Sequence, residues 1–173
     1  QYAQIALAGI GLGVSVAGFL AVRKQVGEVS VKLDRLAETV ERRFDEQMRR
    51  ALLDLEGDLE AQLDHAEEGW TGDGTARWAR VANKLNDMVY RYPVLIEEEI
   101  QAPVPDLALL AYLLERYRVL AATRIECLVL IGELRPAEDF AARFARKTNA
   151  LLNDVMPATL ARRIERGHAA AGR

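Results

Sequence analysis

The run from Ile5 to Val22, IALAGIGLGVSVAGFLAV, holds no charged residue and stops abruptly at Arg23-Lys24. A helix needs about 20 apolar residues, with about 17 as the lower limit, to cross a hydrocarbon core of roughly 30 Å. Tyr2 and Ala3, past the lone Gln4, bring the segment to that length. The glycines narrow the reading. Gly9, Gly13 and Ala17 recur every fourth residue, Gly11 and Ser15 do the same on an adjacent face, and Gly18 follows. In water each helical glycine costs about 1 kcal/mol relative to alanine. In lipid, small residues at four-residue spacing let helix backbones approach and associate. Residues 1–24 are therefore expected to form a membrane helix that packs on copies of itself through those small residues. Arg23 and Lys24 put the following domain on the cytoplasmic side under the positive-inside rule. No basic stretch precedes the segment and no small-residue cleavage site follows it, so an anchor fits better than a cleaved signal peptide.

Over residues 25–68 the pattern changes. Val26, Val29, Leu33, Leu36 and Val40 alternate steps of three and four, the seam of a coiled coil. Phe44, Met48 and Leu52 then follow at steps of four, a stutter that locally unwinds a left-handed supercoil. Leu55, Leu59 and Leu63 continue the apolar face, and Glu38/Arg42 and Glu46/Arg50 stand at helical i,i+4 spacing in the favourable order. One helix can run from the anchor to about Glu68, with Gly27 and Gly57 as places to bend. Such a helix cannot bury its seam alone. It needs partner copies or a fold-back of the later helices.

Gly69-Trp70-Thr71-Gly72-Asp73-Gly74 is the clearest breaker in the chain and opens the third region, residues 75–173. A helix is expected from about Thr75 to Tyr92, stopped by Pro93, with a short turn from Val94 to Ile100. Pro103 and Pro105 mark a loop. Asp106 should cap an apolar helix from Leu107 to about Ile131 that ends at Gly132. Glu115, Arg116, Arg118, Arg124 and Glu126 interrupt that helix, and charges at a bilayer centre are costly, so it reads as a central core helix. Pro136 suits the first turn of the next helix, and Pro157 can start a last one through Arg166. No strand-like alternation occurs. The fold class is all-α: a Gly-rich apolar helix, a long coiled-coil-like helix and a C-terminal bundle.

Catalytic and metal chemistry find little to work with. His65 and His168 stand apart without metal spacing, and the single cysteine, Cys127, sits in an apolar run, which suits a buried small hydrophobe. GIGLG lies within the anchor, with no following lysine to make a phosphate loop. No catalytic residue, metal site or cofactor is expected. Charge is uneven: residues 1–74 carry 8 Lys/Arg against 14 Asp/Glu, a balance of −6, and residues 75–173 carry 15 against 12, a balance of +3. Any anionic partner therefore belongs with the second half. Arg77, Arg80, Lys84 and Arg91 are expected on one helix face beside Trp78, and Arg116, Arg118 and Arg124 on the central helix near Tyr112 and Tyr117. Arginine forks grip phosphates and rings stack on bases, so these residues are the expected ligand contacts; ordinary ion pairs and core packing are the competing use.

The stretch from Ala8 to Phe44, a Gly-rich apolar helix followed directly by a basic pair and heptads, resembles membrane effectors of bacterial antiphage defence, including the Hailong type. The likeness covers about residues 3–45 and is architectural. It implies an inner-membrane homo-oligomer, a tetramer in that type, and a channel opened by an oligodeoxyadenylate made by a partner nucleotidyltransferase. The function expected is a signal-gated, ion-conducting pore without enzymatic activity. Two alternatives stand beside it. One is a membrane-anchored coiled-coil scaffold; the other is a HEPN-like ribonuclease, because Arg163 and His168 match the arginine, four residues, histidine spacing of those enzymes.

Overall fold

In the computed structural model the described residues are Val40, Glu41, Phe44 and the run 46–154. The expected membrane helix with Gly9, Gly11, Gly13, Ser15, Ala17, Gly18, Arg23 and Lys24, the heptads from Val26 to Leu36, the helix after Pro157, and Arg163 with His168 all lie outside them. The described chain is all-helical with no strand: α1 (Glu46–Glu68), a 3-10 turn (Gly69–Thr71), α2 (Gly74–Met88), α3 (Arg91–Gln101), α4 (Leu107–Leu130) and α5 (Leu134–Asp154). None of these helices is long and apolar enough to cross a membrane.

α1 follows from its leucines. Leu52, Leu55, Leu59, Leu63 and Ala66, at helical spacing, are all buried, and the stripe they form packs chiefly on α2. From Leu52 onward the seam is thus covered by the chain's own fold-back, so this stretch makes no demand for partner copies. α1 also runs through Gly57 without a break. The expected Glu46–Arg50 pair forms, with Arg50 Nε 2.8 Å from a Glu46 oxygen.

The α1–α2 corner is sealed by tryptophan. Trp78 Nε1 donates to the Ala66 carbonyl at 2.9 Å, and Trp70 meets the Trp78 ring edge-on with centroids 5.0 Å apart. The indole lies against Gly69 and Gly74, where a Cβ would clash; at Gly74 it would also stand 2.6 Å from the Gly69 carbonyl oxygen.

α4 is the centre of the bundle, buried over most of its length and enclosed by α2, α3 and α5. Both of its ends match the sequence reading. Asp106 Oδ1 accepts from the Ala108 and Leu109 amides at 2.9 and 3.0 Å, an N-cap. At the other end Gly132 has φ +82°, Glu133 N–H reaches the Leu128 carbonyl at 2.8 Å and Gly132 N–H that of Val129 at 3.0 Å. These are the two bonds of a Schellman cap, which needs the left-handed residue that glycine supplies.

One boundary differs from expectation. α2 ends at Met88 rather than Tyr92, and α3 begins at Arg91 with Pro93 third in its first turn. A proline inside a helix clashes with the carbonyl four residues earlier, here Val89, and removes its bond. The chain therefore breaks at Val89–Tyr90, and Pro93 falls where a missing N–H leaves nothing unsatisfied. α5 likewise starts two residues before Pro136, again leaving the proline in the first turn.

Candidate functional site

The basic residues singled out from the sequence do not converge. Arg77 pairs with Glu68, and Trp78 belongs to the α1–α2 corner. Arg80 and Lys84 are exposed on α2, whereas Arg91 opens α3 across the Val89–Tyr90 break and so leaves their helix. On α4, Arg118 faces solvent, Arg116 faces inward, and Arg124 is half-buried against α2 and α5. Two constellations result, and neither is the one expected.

The first is a buried charged node. Arg116 is 0% exposed, and its Nη2 forms an ion pair with Glu56 of α1, itself 5% exposed, and lies 3.8 Å from Glu60. Tyr92 of α3 donates its hydroxyl to the same Glu56 carboxylate at 2.6 Å. Arg116 Nε and Nη1 and the Tyr112 hydroxyl are buried without a hydrogen-bond partner. Burial works against the Arg116 charge, but the Glu56 carboxylate outweighs it and raises the guanidinium's pKa. Burial, then the Glu56 charge, pushes the Tyr92 and Tyr112 hydroxyls well above the usual phenol range. The node therefore sets the Arg116 guanidinium against the buried Glu56 and the half-exposed Glu60, with two neutral phenols beside them. It ties α1 to α3 and α4 at a single carboxylate.

The second is an open cleft of about 370 Å³ between α3 and α5, floored by α4. Val89, Tyr90, Pro93, Val94 and Glu97 form one wall and Phe140, Arg143, Phe144 and Lys147 the other, with Tyr117 beneath. Its size falls in the range of small-molecule sites. Tyr90 is 68% exposed and Val94 54%, both unusually open for their types. Tyr117 and Phe144 pack ring against ring at a tilt of 52°, with centroids 4.8 Å apart. Lys147 reaches across to Glu97 at 2.5 Å, whereas Arg143 makes no ion pair among the described residues.

Arg124 stands behind that wall. Its guanidinium lies over the Phe140 ring, 4.1 Å from the centroid, and Nε donates to the Ala82 carbonyl at 3.2 Å. Burial, then the like charge of Arg143, lowers its pKa. A second positive charge thus backs the cleft. Burial, followed by Tyr90, pushes the Tyr117 hydroxyl up to about 12.

Of the expected contacts, Tyr117 floors this cleft and Arg124 adjoins it. The other lining residues carry no joint signal in sequence, because Tyr90 lies in the α2–α3 break and Phe140, Arg143 and Lys147 lie on α5, some fifty positions later. One signal was legible: Phe140, Phe144 and Lys147, with Arg143, recur at helical spacing on α5. Among the described residues no three His, Cys, Asp or Glu side chains gather to hold a metal ion. No known protein family, curated protein or solved structure matches the chain.

Proposed function

We propose that this chain is the subunit of an oligomeric membrane effector, a signal-gated ion pore of bacterial antiphage defence seated in the inner membrane with its helical domain in the cytoplasm. One observation carries the reading: the uncharged run Ile5–Val22 with small residues every fourth position, joined through a basic pair to heptads. The N-terminal helices of several subunits pack through Gly9, Gly13 and Ala17 to line or build the pore. The bundle acts as the sensor and binds a nucleotide or oligonucleotide signal, which favours the open state only through a higher affinity for it. No catalysis is required on this reading.

The purified full chain in lipid vesicles tests it. An oligodeoxyadenylate should release an entrapped dye, and Gly13→Leu should abolish the release, because a branched side chain separates the helices at their closest approach. Vesicles that stay sealed with oligodeoxyadenylate, with Gly13→Leu indistinguishable from the parent chain, would remove the pore reading. Membrane association without leakage is the scaffold's result instead.

A further inference from the structure

Two of the three helices that line the α3–α5 cleft, α3 and α4, also carry a contact of the buried node. On α3, Tyr92 turns inward to Glu56, while its neighbours Tyr90, Pro93 and Val94 line the cleft. On α4, Arg116 turns inward to the same carboxylate and Tyr117, the next residue, forms the cleft floor. α1 contributes no residue to the cleft, yet its Glu56 is gripped by α3 and α4, which do.

The cleft itself has a definite chemistry. Tyr90 offers an exposed ring, Phe140 lines the opposite wall while itself buried, and Arg143, unpaired among the described residues, stands on that wall with Arg124 stacked behind Phe140. Arg124 Nη1 is buried without a partner. Lys147 is already held by Glu97. Rings together with uncompensated guanidinium suit a flat, ring-bearing anion: the ring stacks and the anion is gripped. The volume admits one such unit.

We infer that the α3–α5 cleft is a binding site for a small ring-bearing anion of the nucleotide class, and that its occupancy is coupled to α1 through the Tyr92 and Arg116 contacts to Glu56. The inference rests on the reading of the bundle as a sensor. A ligand that wedges Tyr90 and Val94 away from Phe140 and Arg143 must shift α3, and with it the Tyr92 hydroxyl. Arg116, with two nitrogens unpartnered, has spare hydrogen-bonding capacity for a second arrangement of the same carboxylate. α1 is the helix that follows directly on the N-terminal segments, so a shift there is the one that matters for gating.

AMP and phenyl phosphate, titrated separately into the full chain in mild detergent, are the probes; adenosine and inorganic phosphate supply the ring and the anion alone. AMP should bind at least ten-fold more tightly than either half, and Tyr90→Ala and Arg143→Ala should each weaken it ten-fold or more. Phenyl phosphate binding as well as AMP marks a site for any ring-bearing anion, whereas AMP binding alone marks one that reads the base; both support the site. Saturating AMP should change amide hydrogen exchange in α1 around Leu55–Leu63 as well as in α3 and α5. Tyr92→Phe, which removes only a hydroxyl, should keep AMP affinity within about three-fold and shrink the α1 change. Neither probe binding at millimolar concentration, or binding that ignores both cleft variants, overturns the site. Binding with unaltered exchange in α1, or an α1 change untouched by Tyr92→Phe, overturns the coupling. These measurements read the bundle and dye release reads the N-terminal segment. AMP bound by a chain that never leaks removes the pore alone; leakage without cleft binding removes this inference alone.

Discussion

Glu56 is the residue on which most of the bundle's polar chemistry turns. It is a carboxylate in the middle of an otherwise leucine-lined helix face, between Leu55 and Leu59. Left alone there it would be strongly disfavoured, and Arg116 and Tyr92 are what make it tolerable. Removing one member of a buried pair leaves the other uncompensated, at a cost of about 3–5 kcal/mol. Removing both charges can be close to neutral. Glu56→Gln and Arg116→Met should therefore each lower the urea midpoint strongly, by amounts in that range. The double variant should recover most of the loss, because glutamine still accepts from Tyr92 and methionine fills the apolar space. Additive losses in the double variant would show that the pair makes no mutual contribution. In sequence, Glu56 was indistinguishable from the solvated acids around it. Arg116 was noticed only as one of several arginines, since nothing local says that it faces inward.

At the scale of elements, glycine divides into two kinds, and the two predict opposite outcomes. Gly132 caps α4 at φ +82°, where any residue with a Cβ is strained, so Gly132→Ala should destabilise by about 1–2 kcal/mol. Gly57 sits in the interior of α1 with nothing within 4 Å of an added Cβ, so Gly57→Ala should stabilise by about 0.5–1 kcal/mol. Thermal melts of the two single variants, moving in opposite directions, check both at once. The same contrast explains what was legible beforehand. Asp106 and Gly132 are local signals with local causes, and both ends of α4 were read correctly to within a residue or so. The α2–α3 break was misplaced by four residues, because Pro93 constrains the carbonyl of Val89 and not merely the residue before it. Of the cleft, only the α5 wall has a local signal in sequence. The rest depends on how α3 and α5 lie against α4, and that arrangement is set by packing between residues some fifty positions apart, as Glu97 and Lys147 are.

At the scale of the whole molecule, four neutral acids among the described residues are enclosed in the core, and they set how the bundle answers to alkali. Tyr92, Tyr112 and Tyr117 are buried, as is Cys127, whose thiol is pushed up to about 12 by burial and then by the charge of Glu126. Each group binds its proton more tightly folded than unfolded. Its contribution is thus fully present below the unfolded-state value, 10.0 for tyrosine and 9.0 for cysteine, and is lost as pH rises through the folded-state value. For Tyr117 the window runs from 10.0 to about 12, and for Cys127 from 9.0 to about 12. Tyr92 and Tyr112 contribute in the same sense, from the same unfolded value upward. The bundle should consequently keep its melting temperature from about pH 7 to about pH 9 and lose it progressively above, with no single sharp step. Cys127 supplies an independent reading of the same event, being the only cysteine in the sequence. A buried neutral thiol is a poor nucleophile, so a thiol reagent should label the folded chain slowly at neutral pH. Labelling should accelerate in step with the fall in melting temperature. Rapid labelling of the chain at neutral pH while its helical circular dichroism is intact would show that the core around α4 opens locally, and that its enclosure does not govern the alkaline response.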